Sequence, residues 1–445
     1  MRFCSALFLS FLRKGEDMTK YRNRIKAFFS KPANIILVIF AVLLALLTLY
    51  PLIELVRHTF VIHATDATIF PGTRKGDFSL KSWSKLLFTE ANKYSFINFY
   101  KPMLNSITLA VLSALFALVF GGTVAWLVTR SNMKAKKFIS AAFIFPYIMP
   151  SWTLALFWLN MFKNPNVGTG SAGFVYSLTG LCAPQWFVYG LFPLVVVSGL
   201  HYAPFAYIFI GGILRNMDAN LEEAATILDT PKWKTMFRIT LPMVKPAILS
   251  TILLVFGSAM GSYPVPHYLG LTTMSTKYIS MNSKYTGEAS ILAIIMMVFG
   301  VAILLMNQIS LKSRKNYTTV TGKSGQISKI NLGKAGKYLI AIILIVITFF
   351  TSIFPILSFA LETFLPNPGD YSFLYTMNPG ALTTKWWVTD NNGAGALYGQ
   401  PGILHNPLIW RAFKGTLLVA VCCALIAGTI GTLIGYAVSK NRRSK

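Results

Sequence analysis

The chain has 445 residues, of which 54% are hydrophobic and only 12% charged. A soluble protein of this length needs several charged domain surfaces, and the charge here is too sparse and too clustered to supply them. The net charge of +27 sits between apolar runs, where it reads as topology signal and lipid-headgroup contact, which sets nucleic-acid binding aside.

Those runs are about 20 residues long, enough to cross roughly 30 Å of hydrocarbon. In lipid every backbone N–H and C=O must be paired within the chain, so such runs have to be helices. The expected fold class is an all-α membrane protein, a polytopic helical bundle of about eight transmembrane helices.

Residues 1–33 form a basic N-terminal segment. Its short apolar patch, Leu7 to Leu12, lies between Arg2 and Arg13-Lys14 and lacks a small-residue cleavage site, so it does not read as a signal peptide. Met18, ahead of the basic stretch Lys20 to Lys31, is an alternative start. Run length then places spans at Asn34–Ile53, Asn105–Val128, Phe138–Phe162, Val188–Leu214, Ala247–Leu271, Ala289–Ile309, Tyr338–Leu361 and Phe413–Val438. Most of the Lys and Arg residues fall on one side if the N-terminus is cytoplasmic. The linker 310–337 alone carries Lys312, Arg314, Lys315, Lys323, Lys329, Lys334 and Lys337 without an acid. Both termini are therefore expected in the cytoplasm, with long outer loops at Val56–Lys101 and Glu362–Trp410.

An internal repeat runs through these spans. Tyr50-Pro51-Leu52-Ile53 before Thr59-Phe60 is echoed by Phe354-Pro355-Ile356-Leu357 before Thr363-Phe364. The second and eighth spans then match at Ala110/Ala420, Val111/Val421, Ala114/Ala424, Leu115/Leu425, Ala117/Ala427, Gly121/Gly431 and Val128/Val438, with Arg130 answered by Lys440. The chain reads as a six-span unit over 34–309, the linker 310–337, and the first two spans of a second, truncated repeat over 338–445.

The inner segment at 215–246, between the fourth and fifth spans, is the most charged stretch near the membrane and is helical by pattern. Leu221 to Leu228 contains no breaker. Thr230 is placed to cap a second short helix that opens on Pro231, and Pro242 and Pro246 punctuate the return to the membrane. Trp233, Met236, Phe237 and Thr240 recur at helical spacing, while Lys234 and Arg238 share another face. Physics alone allows either an amphipathic loop on the headgroups or a contact surface offered to a partner.

Glu223-Ala224-Ala225 and Ile239-Thr240-Leu241-Pro242 resemble, in type and spacing, the EAA loop of binding-protein-dependent ABC permeases. Asp229 stands where that pattern has Gly, and Asp tolerates a left-handed backbone better than most residues. A six-span unit with this loop, repeated in one polypeptide, is similar to the fused double permeases of ferric-iron importers. Phe145-Pro146-Tyr147-Ile148-Met149-Pro150, Ser262-Tyr263-Pro264-Val265-Pro266 and Leu269-Gly270-Leu271 fit the same likeness.

The resemblance implies a type I ABC importer permease fold in the bacterial plasma membrane. It implies a coupling loop (Glu223, Ala224, Ala225, Asp229, Phe237, Ile239, Leu241, Pro242) seated in separate cytoplasmic ATPase subunits, which bind the ATP, so that no cofactor is expected in this chain. It further implies an extracytoplasmic solute-binding protein as partner, and a missing remainder of the second permease half. Ferric iron is the first choice of solute, with polyamine, thiamine, phosphonate or another anion as alternatives.

Other motifs are weaker. Cys4, Cys182, Cys422 and Cys423 have no CxxC or metal spacing. Tyr317 to Ser324 approximates a phosphate-binding loop, but Tyr317 replaces its first Gly and no strand precedes it. Thr169-Gly170-Ser171-Ala172-Gly173 lacks the first Gly of a nucleophile turn. His58, His63, His201, His267 and His405 are scattered. His201 within the fourth span is either a site residue or a hydrogen-bonded packing residue. Pro146, Pro150, Pro193 and Pro204 free carbonyls inside spans, which is tolerated against neighbours or a cavity, and Pro146, Pro150, His201, Tyr202 and Pro204 are the candidates for lining a translocation path. An intramembrane lipid-modifying enzyme would need clustered His, Asp, Glu or Ser at a helix end. An ion-coupled secondary transporter is the remaining alternative.

Overall fold

The computed structural model describes residues 26–30, 32–67, 70, 72–167, 172–217, 225, 227–312, 330–367, 369, 371, 373, 382–389 and 400–441. Glu223, Ala224, the segment 317–324 and the turn at 169–171 lie outside them. The described residues are almost entirely helical. Among them no strand forms, only isolated bridges such as Val61 with Phe78.

Among the described residues seven helices are long and apolar enough to cross a membrane: Asn34–Phe60, Ala91–Arg130, Gln185–Arg215, Met236–Gly261, Thr286–Ile309, Gly333–Glu362 and Pro407–Ala437. An eighth is counted only if the pair Lys136–Ile148 and Ser151–Phe162, bent by 97°, is taken as one. The expected third span, Phe138–Phe162, is thus not a straight rod. Pro150 has no N–H to donate back into the helix, and Met149 before it is extended, as the residue preceding proline prefers.

Prolines at three other places are absorbed without a break. Wide, five-residue turns at Phe96–Tyr100, Met236–Thr240 and Phe349–Ile353 each end two residues before Pro102, Pro242 and Pro355. In each, the N–H just before the proline (Lys101, Leu241 or Phe354) donates to the carbonyl five residues back. The widened turn moves aside the carbonyl that a proline ring would strike. The fifth span consequently starts earlier than the expected Ala247. Lys232–Thr235, the wide turn and Leu241–Gly261 follow one another with helical junction residues. Pro242 and Pro246 are inside a continuous helix, which corrects the reading of them as punctuation.

The chain divides into two compact units, residues 56–404 and residues 1–55 with 405–445. In the first, the second span (Lys101–Arg130) and the fourth (Leu191–Asn216) form the centre. Val124, Ala125 and Val128 pack with Ala203, Ala206, Tyr207, Ile210 and Leu214, joined by Ile139 and Phe143, by Val244 and Ala247, and by Leu344 of the seventh span. Lipid tails are as apolar as leucine, so close packing of small residues holds these helices together. A Cβ on Gly121 would lie 2.2 Å from the Ala203 carbonyl oxygen, and one on Gly199 would lie 2.3 Å from the Phe116 ring. Ile330 N–H donates to Arg130 O at 2.7 Å, and Asn132 Nδ2 donates to Asn331 Oδ1 at 2.8 Å, fixing the end of the linker to the end of the second span. The other unit contains the helix Pro407–Asn441.

Candidate coupling segment and broken span

After the fourth span the described chain resumes at Ala225, which is buried. Thr230 N–H donates to Ala225 O at 2.9 Å and Asp229 has φ 49°. A six-residue closure with a left-handed residue just inside it is the Schellman end of a helix. The local sequence explains it: Asp is among the few non-glycine residues that visit this region readily, so Asp229 does there what Gly would do. Pro231 then opens the next helix, its carbonyl accepting from Lys234 N–H at 2.9 Å and Thr235 N–H at 3.2 Å. The turn therefore forms where the sequence places it.

This segment exposes Ile227, Leu228, Met236 and Phe237, the first two at 84% and 78%. Leu241, Pro242 and Arg238 are exposed too, and Ile239 is half-buried. Thr240 is buried, so it does not share a face with Phe237; the wide turn has shifted the helical phase that the expected 233/236/237/240 stripe assumed. Exposed large apolar side chains with nearby cations make a contact surface.

The second candidate is the break in the third span. His201 Nδ1 lies 2.7 Å from Pro146 O. That ring stands 5.6 Å from Tyr147 and 4.8 Å from Tyr202, and Tyr147 packs on Phe205 at 4.5 Å. Pro146, His201 and Pro204 are buried, Tyr202 is half-buried and Pro150 is exposed. Of the two readings of His201, the hydrogen-bonded packing residue is the one the geometry favours.

The sequence reading missed a cluster at the start of the sixth span. Glu288, buried, accepts from Lys85 Nζ at 2.8 Å and from Tyr94 OH at 2.6 Å. The Lys85 ammonium also faces the rings of Phe70, Tyr94 and Tyr285 at 5.5, 4.9 and 4.7 Å. Asp66, buried beside it, accepts from Gly287 N–H at 3.2 Å. Both carboxylates lie at the N-terminus of the helix Thr286–Lys312, where the helix dipole favours negative charge. The available signal was an acid placed at the opening of an apolar run. In the loop after the seventh span Tyr371 OH donates to Glu362 at 2.8 Å; burial, then that carboxylate, push the phenol up. Burial pulls Lys163 down, opposed by Glu362.

His58 Nδ1 and His63 Nε2 are 3.1 Å apart. Among the described residues no group of three or more His, Cys, Asp or Glu side chains is arranged to hold a metal.

Residues 117–316 match the family "Binding-protein-dependent transport system inner membrane component", a stretch that contains the broken span and the whole coupling segment. The chain is 26% identical over 348 residues to the ferric transport system permease protein FbpB of Actinobacillus pleuropneumoniae, covering 75% of this chain and 46% of that one. It is 29% identical over 215 residues to the probable sulfate transport system permease protein cysT of Prototheca wickerhamii, covering 45% and 79%. It is 30% identical over 162 residues to the molybdenum transport system permease protein ModB of Haemophilus influenzae, covering 36% and 66%. A solved bacterial ABC transporter involved in import of the acidic polysaccharide alginate is similar at 19% identity and a TM-score of 0.48, over 67% of this chain and 100% of that one. The chain spans about half the length of the ferric permeases it matches. The apolar helices and the segment between the fourth and fifth spans fall in the matched place, so residues 117–316 of this chain are similar to the binding-protein-dependent transport system inner membrane components.

Proposed function

We propose that this chain is the transmembrane permease subunit of an ATP-driven ABC importer, moving a small hydrophilic solute from an extracytoplasmic binding protein into the cytoplasm. The observation that carries the proposal is the coupling segment. A buried Ala225 is followed by a left-handed turn at Asp229 and then by exposed apolar side chains, Phe237 among them, on a helix that continues into a span. An amphipathic segment resting on headgroups has no need of so defined a turn.

In this reading the segment 223–242 sits in a cleft of a cytoplasmic ATPase subunit. ATP draws two such subunits together, their clefts move, and the docked helices follow, so the path alternates between inward-facing and outward-facing states. The ligand shifts the equilibrium only through contacts that differ between the states. The third to fifth spans, with Pro146, Pro150, His201, Tyr202 and Pro204, border the path. Ferric iron remains the first choice of solute, supported by the ferric permease likeness; the sulfate and molybdenum permease likenesses support an oxyanion as the alternative. Both termini face the cytoplasm in the bacterial inner membrane, and a second permease half is a further partner.

The test is copurification of an ATPase with the tagged chain and uptake of labelled ferric iron, molybdate and sulfate in cells. Glu223→Lys and Ala225→Trp are expected to abolish both copurification and uptake while membrane insertion is retained. Unchanged uptake and unchanged copurification in those variants overturn the proposal.

A further inference from the structure

The loop joining the third and fourth spans has lost its charge. From Asn164 to Leu200 the chain holds no Asp, Glu, Lys, Arg or His. The loop after the first span, by contrast, carries Arg74, Lys75, Asp77 and Lys81. In place of charge the third-to-fourth loop has Phe174, Tyr176, Trp186, Phe187 and Tyr189. A loop standing in water gains nothing from that exchange. One resting at the boundary of headgroups and acyl chains does, because Trp, Tyr and Leu are favoured there.

The loop is built rather than loose. Two short helices, Phe174–Thr179 and Gln185–Val188, end at turns where Gly180 and Gly190 take φ 70° and 97°. Its backbone is tied down from three directions. The Trp158 indole N–H donates to Phe187 O at 3.0 Å, and the Asn164 side-chain amide donates to Ala183 O at 2.9 Å. Gly190 N–H donates to Leu269 O at 2.9 Å. The rings of Trp158, Phe162 and Phe192 close on Phe187 at 5.1, 4.9 and 5.3 Å. With the loop so held, Leu178, Leu181 and Trp186 still stand exposed, the last two at 67% and 62%.

Helix length sets the depth of these side chains. The helix of the fourth span, Leu191–Asn216, has 26 residues, about 39 Å at 1.5 Å per residue. That exceeds the roughly 30 Å of hydrocarbon by about one headgroup layer. Arg215 near its end belongs at one boundary, so Leu191, and the loop joined to it at Gly190, fall in the headgroup layer of the other. Phe192, exposed on the span itself, packs on Trp186 at 5.3 Å and makes the loop surface continuous with the lipid-facing side of the helix. We propose that residues 174–190 are an interfacial anchor whose partner is the lipid bilayer. Leu178 and Leu181 enter the acyl boundary, and Trp186 lies at the level of the lipid carbonyls, to which its indole N–H can donate. The anchor holds the third and fourth spans at one depth. A face made for another protein would carry a polar, charged rim, which this loop lacks.

The experiment uses the full chain in phosphatidylcholine nanodiscs. With Cys4, Cys422 and Cys423 replaced by serine, the exposed Cys182 carries a bimane label, and the loop itself needs no substitution. Leu181→Cys combined with Cys182→Ser gives a second site. Lys75→Cys combined with Cys182→Ser gives a reference in the charged loop, where Lys75 is exposed. Both loop labels are expected to be quenched several-fold less by aqueous iodide than the reference. Both are expected to be quenched by a lipid bearing a nitroxide at the glycerol end of its acyl chain. Iodide quenching equal to the reference at either site, as on a surface left open for another protein, overturns the anchor. Protection from iodide without quenching by the nitroxide lipid also overturns it, since the loop would then lie under protein. Uptake and ATPase copurification do not enter this readout, so the anchor and the permease reading stand or fall separately.

Discussion

His201 Nδ1 lies 2.7 Å from the carbonyl oxygen of Pro146, the acceptor that Pro150, four residues further on, has no N–H to serve. A proline break thus leaves one buried carbonyl without its helical donor, and a side chain from the neighbouring span supplies the replacement. This fixes the tautomer: the proton is on Nδ1, because a carbonyl oxygen can only accept. His201→Ala is expected to lower stability by about 1–3 kcal/mol, the cost of leaving a buried acceptor unsatisfied. His201→Asn, whose amide can donate from a similar place, should recover part of it. Thermal unfolding of the purified protein in detergent checks both; equal loss in the two variants would remove the hydrogen bond from the account.

Asp229→Gly is expected to be neutral or mildly stabilising, since it relieves a left-handed backbone held by a residue with a Cβ. Asp229→Val should cost roughly 1–2 kcal/mol locally and reduce ATPase copurification. Pull-down yields of the three proteins, normalised to membrane insertion, decide the matter. A Val variant that holds its ATPase as well as the parent would show that the turn is dispensable.

Gly121→Ala should be among the most damaging single-methyl additions in the chain, because the new Cβ faces backbone rather than a flexible side-chain tip. Overpacking of this kind costs about 1–3 kcal/mol or more. Gly300→Ala, with nothing within 4 Å of its added Cβ, is the matched control and should be neutral or stabilising. Fluorescence-detected size exclusion after graded heating separates the two.

Lys85 and Glu288 are expected to behave as a coupled pair. Lys85→Met alone leaves the buried Glu288 carboxylate without its cation, a loss of about 3–5 kcal/mol, while Glu288→Gln leaves only the half-buried Lys85 ammonium and should cost less. The double replacement Glu288→Gln with Lys85→Met should cost less than the sum of the singles. A double-mutant cycle by thermal unfolding gives the coupling directly, and simple additivity would mean that the contact carries no energy.

Topology has a direct test. A reporter active only in the cytoplasm, fused after Lys445, should be active, and a cysteine placed at Ser324 should resist a membrane-impermeant thiol reagent added from outside. Outer labelling of that cysteine reverses the orientation.

Much of this architecture was legible in the sequence because lipid forces apolar runs into helices. The turn at Asp229 was legible as well, since the tolerance of Asp for a left-handed backbone is a local property. The third and fifth spans were not. Both contain prolines, and a proline reads the same whether the helix bends beside it, as at Pro150, or widens ahead of it, as at Pro242. Which happens depends on whether a donor such as His201 waits on a neighbour. The Glu288–Lys85 contact joins residues 203 positions apart, and no periodicity reaches that far.

The unbroken helix from Lys232 to Gly261 has a mechanical consequence. At about 1.5 Å per residue, it is a rod on the order of 45 Å long without a joint. A hinge between its exposed end and its membrane end would let one move while the other stayed still. Phe237 and Val255 thus stand on one continuous helix, and a push or twist applied at the first is expected to reach the second, as along a crankshaft rather than a chain.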